Sequence, residues 1–243
     1  MTITSLRAAV SFLTVLPVAN ADGSPGVRLG RAYFPAVGAL VGLAAGGAFV
    51  VVGALATPLL AAAAAVATLC ILTGAIHLDG LGDSADGLLG PGDAARRLDA
   101  MRDPRLGAYG ITAIVVVLLL EWSALAGMSP ARGLIALLTA GALSRYATLA
   151  VIALVPYVRA SGVGTTASET RGRGIDLLVG SATAALVGLA DWRHALVAAA
   201  LVALVAWIVV VIARRRIGGA TGDVYGATAE LGQLAALLAF IGP

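Results

Sequence analysis

Residues 32–78 read AYFPAVGALVGLAAGGAFVVVGALATPLLAAAAAVATLCILTGAIHL and hold no Asp, Glu, Lys or Arg. About 20 apolar residues are enough to cross a bilayer, so this run has the length of two crossings, divided at Thr57-Pro58. The rest of the chain agrees. Of 243 residues, 60% are hydrophobic and only 12% charged, against roughly 25% charged in a soluble domain, and the mean hydropathy is +0.98. That leaves too few charges to coat a water-facing globule of this size. The sequence therefore predicts an all-α integral membrane protein, a polytopic bundle forming a single transmembrane domain over 1–243.

Apolar runs bounded by Arg, Asp, Pro and Gly predict about seven spans, at 37–56, 58–76, 107–127, 133–156, 175–190, 194–213 and 229–243. With residues 1–36 taken as a cytoplasmic or interfacial segment, thirteen of the sixteen arginines fall on one side of the membrane. Only Arg132 and Arg193 fall on the other, and Arg145 lies within the fourth span. This is the positive-inside bias, and it predicts a multi-pass protein of the plasma (cell inner) membrane with its polar loops and active-site cavity toward the cytoplasm. The basic residues are all Arg, giving a net charge of +3, but no basic stripe interleaved with aromatics is present, so nucleic acid is not an expected partner. Ala19, Asn20 and Ala21 after an apolar stretch resemble a signal-peptide cleavage site; Pro17 interrupts that stretch, and a retained interfacial or re-entrant segment is expected. Cys70, the single cysteine, can form neither an internal disulfide nor a paired metal site.

Six of the thirteen acids lie between 79 and 103, in HLDGLGDSADGLLGPGDAARRLDAMRDPR. Within 77–106 the pattern predicts a helix-turn-helix. Asp79, Asp83 and Asp86 stand at i, i+4 and i+7 on one helix face, Gly90-Pro91-Gly92 turns the chain, and Asp93 suits the N-cap of a second helix over 94–103. Asp99 and Asp103, again four apart, are expected to fold back toward the first three. An oxygen-only set of this size suits Mg²⁺ and not zinc. Asp103 before Pro104 also suits the N-cap of the third span. The neighbouring arginines favour a phosphate or pyrophosphate substrate, and Arg145 in GALSRYATL is expected to face a polar cavity, being costly in lipid.

HLDGLGDSADG followed by RLDAMRDPRLGAYG strongly resembles the cobalamin synthase (adenosylcobinamide-GDP ribazoletransferase) family. Segments 11–18, 33–42, 144–164 and 218–231 (GGATGDVYGATAEL) resemble it in the same order. The resemblance implies a Mg²⁺-dependent transferase in which a ribose hydroxyl of α-ribazole or its 5'-phosphate attacks the cobinamide phosphate of adenosylcobinamide-GDP and expels GMP. The acidic spacing is also similar to that of CDP-alcohol phosphotransferases. Carried over, Asp79, Asp83, Asp86, Asp99 and Asp103 are the expected metal ligands, with Asp103 and Asp79 as catalytic candidates. His77, Arg102, Arg105, Arg145, Arg171, Thr221 and Asp223 are the expected substrate-binding set. Membrane lipid is an expected partner, and the sequence leaves oligomerisation open. A phospholipid-making CDP-alcohol phosphatidyltransferase and, more remotely, an ion-coupled transporter are the rival readings.

Overall fold

A computed structural model describes residues 2–18, 29–159 and 172–242. The stretch 19–21 that resembles a cleavage site, Arg28 and Arg171 lie outside the described residues. The helices are α1 (Ile3–Leu13), α2 (Phe34–Leu55), α3 (Pro58–Thr73), α4 (Ile76–Leu89), α5 (Ala94–Ala100), α6 (Ala108–Ala126), α7 (Pro130–Leu154), α8 (Arg173–Gly188), α9 (Trp192–Ile217) and α10 (Gly222–Leu238). Among the described residues there is no strand, only an isolated bridge between Tyr157 and Ala220.

Local chemistry sets most helix starts. Thr57 accepts from the Leu60 amide with Pro58 opening α3, Ser129 accepts from Arg132 with Pro130 opening α7, and Asp93 accepts from Arg96 ahead of α5. Each side chain satisfies an amide the first helical turn leaves open, and proline at the first position sacrifices no hydrogen bond. The third-span cap differs from expectation. α6 begins at Gly107, which has no side chain to offer, and Asp86 of α4 supplies both acceptors instead, taking the amides of Gly107 at 2.7 Å and Gly110 at 2.9 Å. The last helix begins seven residues before the expected apolar run, because Thr221 caps it by accepting from the Val224 amide and its polar first turn is enclosed by the bundle.

Among the described residues four helical stretches are long and apolar enough to cross a membrane, or five if the bent pair α3 and α4 is one span. One of the four, Arg173–Ile217, holds both α8 and α9. It folds back at the 3-10 turn Leu189–Asp191, since Ser181 to Ala185 of α8 and Ala195 to Val202 of α9 line one groove with Leu143 to Val151 of α7. The tightest crossing is α2 on α7. A Cβ on Gly38 would run into the carbonyl of Gly141, and one on Gly42 into that of Leu137, so the small-residue series lets the two backbones touch.

α3 and α4 meet at 88°. Gly74 (φ 61°) and Ala75 (φ 56°) are both left-handed there; for alanine that conformation costs roughly 1 kcal/mol. The turn is held by the Ala75 amide on Cys70 and by the Val15 amide on Leu72, which docks the segment after α1 against the break.

Candidate active site

The bend lays the acidic helix α4 across the ends of its neighbours, and its three inner glycines are the points of closest approach. Gly80 lies against Asp223 and Gly226 of α10, Gly82 against Leu106 and Ile114 at the start of α6, and Gly87 against Met101 and the Arg97 carbonyl of α5. A side chain at any of them would hold a neighbour off. The motif HLDGLGDSADG thus alternates acids with the contact points that position them.

At the α4–α10 crossing, Asp83 lies within electrostatic reach of Asp223, Asp79 and Asp86 and of one cation, Arg159. Arg159 pairs with Asp223 at 2.7 Å, both side chains largely buried, and also donates to the Met101 carbonyl at 3.3 Å. It reaches there because Val158 donates to Ala220 and Ala220 to Pro156, tying the strand-like exit of α7 to the entry of α10. Thr221 donates to Asp223 at 3.3 Å. Asp79 is exposed and lines a cavity of about 470 Å³ with Ser11 of α1, Thr14 and Val15 just beyond it, and Thr73 to Ile76 at the break.

The other expected ligands stand apart. Met101 and Arg97 fill the α4–α5 interface, so the opposite face of α5 points outward. The Asp99 side chain is 78% exposed, at 3.9 Å from Arg102, and Asp103 forms a two-pronged pair with Arg105 at 3.0 and 2.9 Å. Arg105, through its side chain and its amide, holds the Asp103 carboxyl down at about 2. A depressed carboxyl favours the folded turn above its ordinary range, and that contribution is lost only as pH falls toward 2. It also leaves Asp103 a weak proton acceptor at neutral pH. Arg97 donates to the carbonyls of Gly87, Leu88 and Gly92, satisfying the C-terminal end of α4.

Among the described residues no three His, Cys, Asp or Glu side chains form a group able to hold a metal ion. The donor chemistry nonetheless suits a hard cation, since magnesium is commonly held by one or two carboxylates and completed by substrate phosphates. Asp83 and Asp223, within electrostatic reach of one another, are the candidate pair. Asp86 is committed to α6: Asp86→Ala is expected to cost about 0.5–2 kcal/mol, read as a lower unfolding temperature in detergent, whereas Asp86→Asn keeps an acceptor for one amide and loses less.

Arg145 and His77 are buried beneath this site. Arg145, 2% exposed, donates to Gln233 at 2.6 Å and Ser144 at 3.0 Å and lies 3.4 Å from Nδ1 of His77. Gln233 in turn donates to Glu121 at 3.1 Å, and Glu230 stands within electrostatic reach of Arg145. The sequence reading missed Arg159, Glu121, Glu230 and Gln233. The signal for the two glutamates was present, since an acid within an apolar run must find a partner and Arg145 is the intramembrane cation. Arg145→Ala is expected to destabilise by about 3–5 kcal/mol, measured as lost folded protein after solubilisation, because it strands two acids in the bundle.

Comparison with known proteins gives the same answer along almost the whole chain. Residues 5–241 match the family described as cobalamin-5-phosphate synthase. The chain belongs to that family. It is 38% identical over 240 residues to an adenosylcobinamide-GDP ribazoletransferase of Bradyrhizobium diazoefficiens, covering 97% of this chain and 92% of the relative. A protein of the same description from Stutzerimonas stutzeri is 40% identical over 242 residues, covering 96% of each, and one from Desulforamulus reducens 35% over 232 residues, covering 93% and 92%. No solved structure matches. The cobalamin-5-phosphate synthase family is a family of transferases of cobalamin assembly, so the acids at the α4–α10 crossing belong to a chain whose relatives act on a GDP-activated substrate.

Proposed function

We propose that this protein is an adenosylcobinamide-GDP ribazoletransferase, joining adenosylcobinamide phosphate to α-ribazole or its 5'-phosphate and releasing GMP. The observation that carries the reading is the meeting of two acidic motifs of a synthase-family chain, Asp79 and Asp83 of α4 with Asp223 of α10, at one crossing beside Arg159. In this reading Asp83 and Asp223 hold Mg²⁺ together with the substrate pyrophosphate. When bound there, the ion offsets charge on the pyrophosphate and on the departing GMP. Asp79, exposed on the cavity wall, accepts the proton of the attacking ribose hydroxyl. The hydroxyl oxygen forms a bond to the cobinamide-side phosphorus, the bond from that phosphorus to the bridging oxygen breaks, and GMP leaves with the electron pair. Arg159 keeps the crowded carboxylates together between turnovers.

The proposal extends to topology. Seven crossings, by α2, α3, α6, α7, α8, α9 and α10, are supported by the gathering of the starts of α2, α6, α8 and α10 with the ends of α3, α7 and α9 near the acids. A cytoplasmic site is supported by the arginine distribution. Membranes carrying the protein, given adenosylcobinamide-GDP, α-ribazole 5'-phosphate and Mg²⁺, are expected to release GMP in step with adenosylcobalamin phosphate; no GMP release from correctly inserted protein would remove the reading. CDP-diacylglycerol is expected to be inert as donor.

A further inference from the structure

α8 and α9 both pack on α7 but spread from one another, leaving a groove of about 750 Å³, within the size range of small-molecule pockets. No acid lines it, and apart from the indoles of Trp192 and Trp207 its walls carry two polar groups. Tyr146 and Ser181 satisfy one another through a 2.7 Å hydroxyl pair, so they leave no polar atom for a ligand to strand. The second group is Arg214, at one end.

We infer that this groove binds an anionic phospholipid, an acyl chain filling it and the phosphate held by Arg214. Length supports the match. The lining runs along α9 from Trp192 to Arg214, and at 1.5 Å per residue that stretch spans about 33 Å, close to the roughly 30 Å hydrocarbon core of a bilayer. The groove therefore reaches from a tryptophan at one interface to an arginine at the other, the levels these residues occupy in membranes. Charge selects the headgroup. Arg214, Arg215 and Arg216 are all exposed, and among the described residues none has an ion pair, so three adjacent cations face the headgroup layer, where basic clusters favour anionic lipid. Shape favours a thin chain over a helix of a second copy. The rims carry Leu189, Leu196, Trp192 and Trp207, all more than half exposed, which would hold a helix backbone away from the small residues on the floor.

The test uses the full chain carrying Trp122→Phe, so that Trp192 and Trp207 alone report. In phosphatidylcholine vesicles containing the same minor fraction of dibrominated phosphatidylglycerol or dibrominated phosphatidylcholine, the anionic lipid is expected to quench tryptophan emission several-fold more strongly. Arg214→Gln should bring the two lipids to parity, and Arg193→Gln, at the opposite interface, should leave the preference intact. Equal quenching by both lipids, or a preference that survives Arg214→Gln, would overturn the inference. So would weak quenching by both accompanied by a dimer mass, which would mean that a second copy covers the groove. Because Trp122 donates to the Leu59 carbonyl and its loss can disturb folding, native mass spectrometry of the unsubstituted chain against Arg214→Gln gives a parallel reading. Selective retention of phosphatidylglycerol, lost in the variant, supports the site; retention unchanged by the substitution refutes it.

Discussion

Asp83→Asn is expected to lower GMP release by about 10²–10³-fold or more, the scale of losing one preorganised electrostatic group at a reacting centre, while the protein inserts normally and resists heat at least as well as the native chain. The two halves of that result have a single origin. Asp83 lies among Asp79, Asp86 and Asp223 with one cation, Arg159, to balance them, so removing its charge relieves repulsion that the resting site must bear. Strained or crowded groups of this kind are retained where function needs them. Asp223→Asn should lose activity on the same scale without the gain in stability, because it also deprives Arg159 of its 2.7 Å partner. Activity and thermal unfolding are measured on the same detergent preparation. Near-normal turnover in both variants would show that the crossing of α4 and α10 is not where the phosphate is transferred.

The second large effect lies far from the acids. Gly38→Leu is expected to abolish folded protein, since a side chain there meets the backbone of Gly141, and overpacking at a rigid contact costs about 1–3 kcal/mol or more. Gly141 faces Gly38 in return, so neither helix can yield without moving the other. Gly47 lies on the same helix with open space around it, and Gly47→Ala is expected to be neutral or to add up to about 1 kcal/mol through helix propensity. The comparison is read from the monodisperse fraction after solubilisation. Equal behaviour of the two variants would mean that the α2–α7 crossing is looser than described.

Much of this arrangement was legible in the sequence, and the part that was not has a physical reason. Helix starts at Thr57-Pro58 and Asp93 were visible because capping is local chemistry, whereas the span over 133–156, bounded by hydropathy, missed the Ser129-Pro130 start of α7. The helix-turn-helix of the acidic motif was visible because its spacing is short. Its ligand set was only partly legible. Periodicity puts Asp79, Asp83 and Asp86 on one face, but it does not say that Asp86 turns to amides 21 and 24 residues further on. Nor does it say that Met101 and Arg97 occupy the face of α5 that would have carried Asp99 and Asp103 inward. Asp223 entered through the family resemblance, and its meeting with α4 depends on the Gly80–Gly226 contact, a property of two backbones with no imprint on hydropathy. Arg159 was read only as a loop charge, since what aims it is a pair of backbone hydrogen bonds to Ala220.

The distance along the chain between Asp83 and Asp223 has a consequence for biosynthesis. α4 is made early, yet the amides that anchor Asp86 emerge only with α6, and the second acidic partner arrives with α10. On the proposed reading, a ribosome that stalls before α10 leaves a membrane fragment bearing half of the proposed reaction centre, unable to spend a costly activated intermediate. Assembly of the proposed site thus waits on α10, a form of proofreading that the order of the helices imposes by itself.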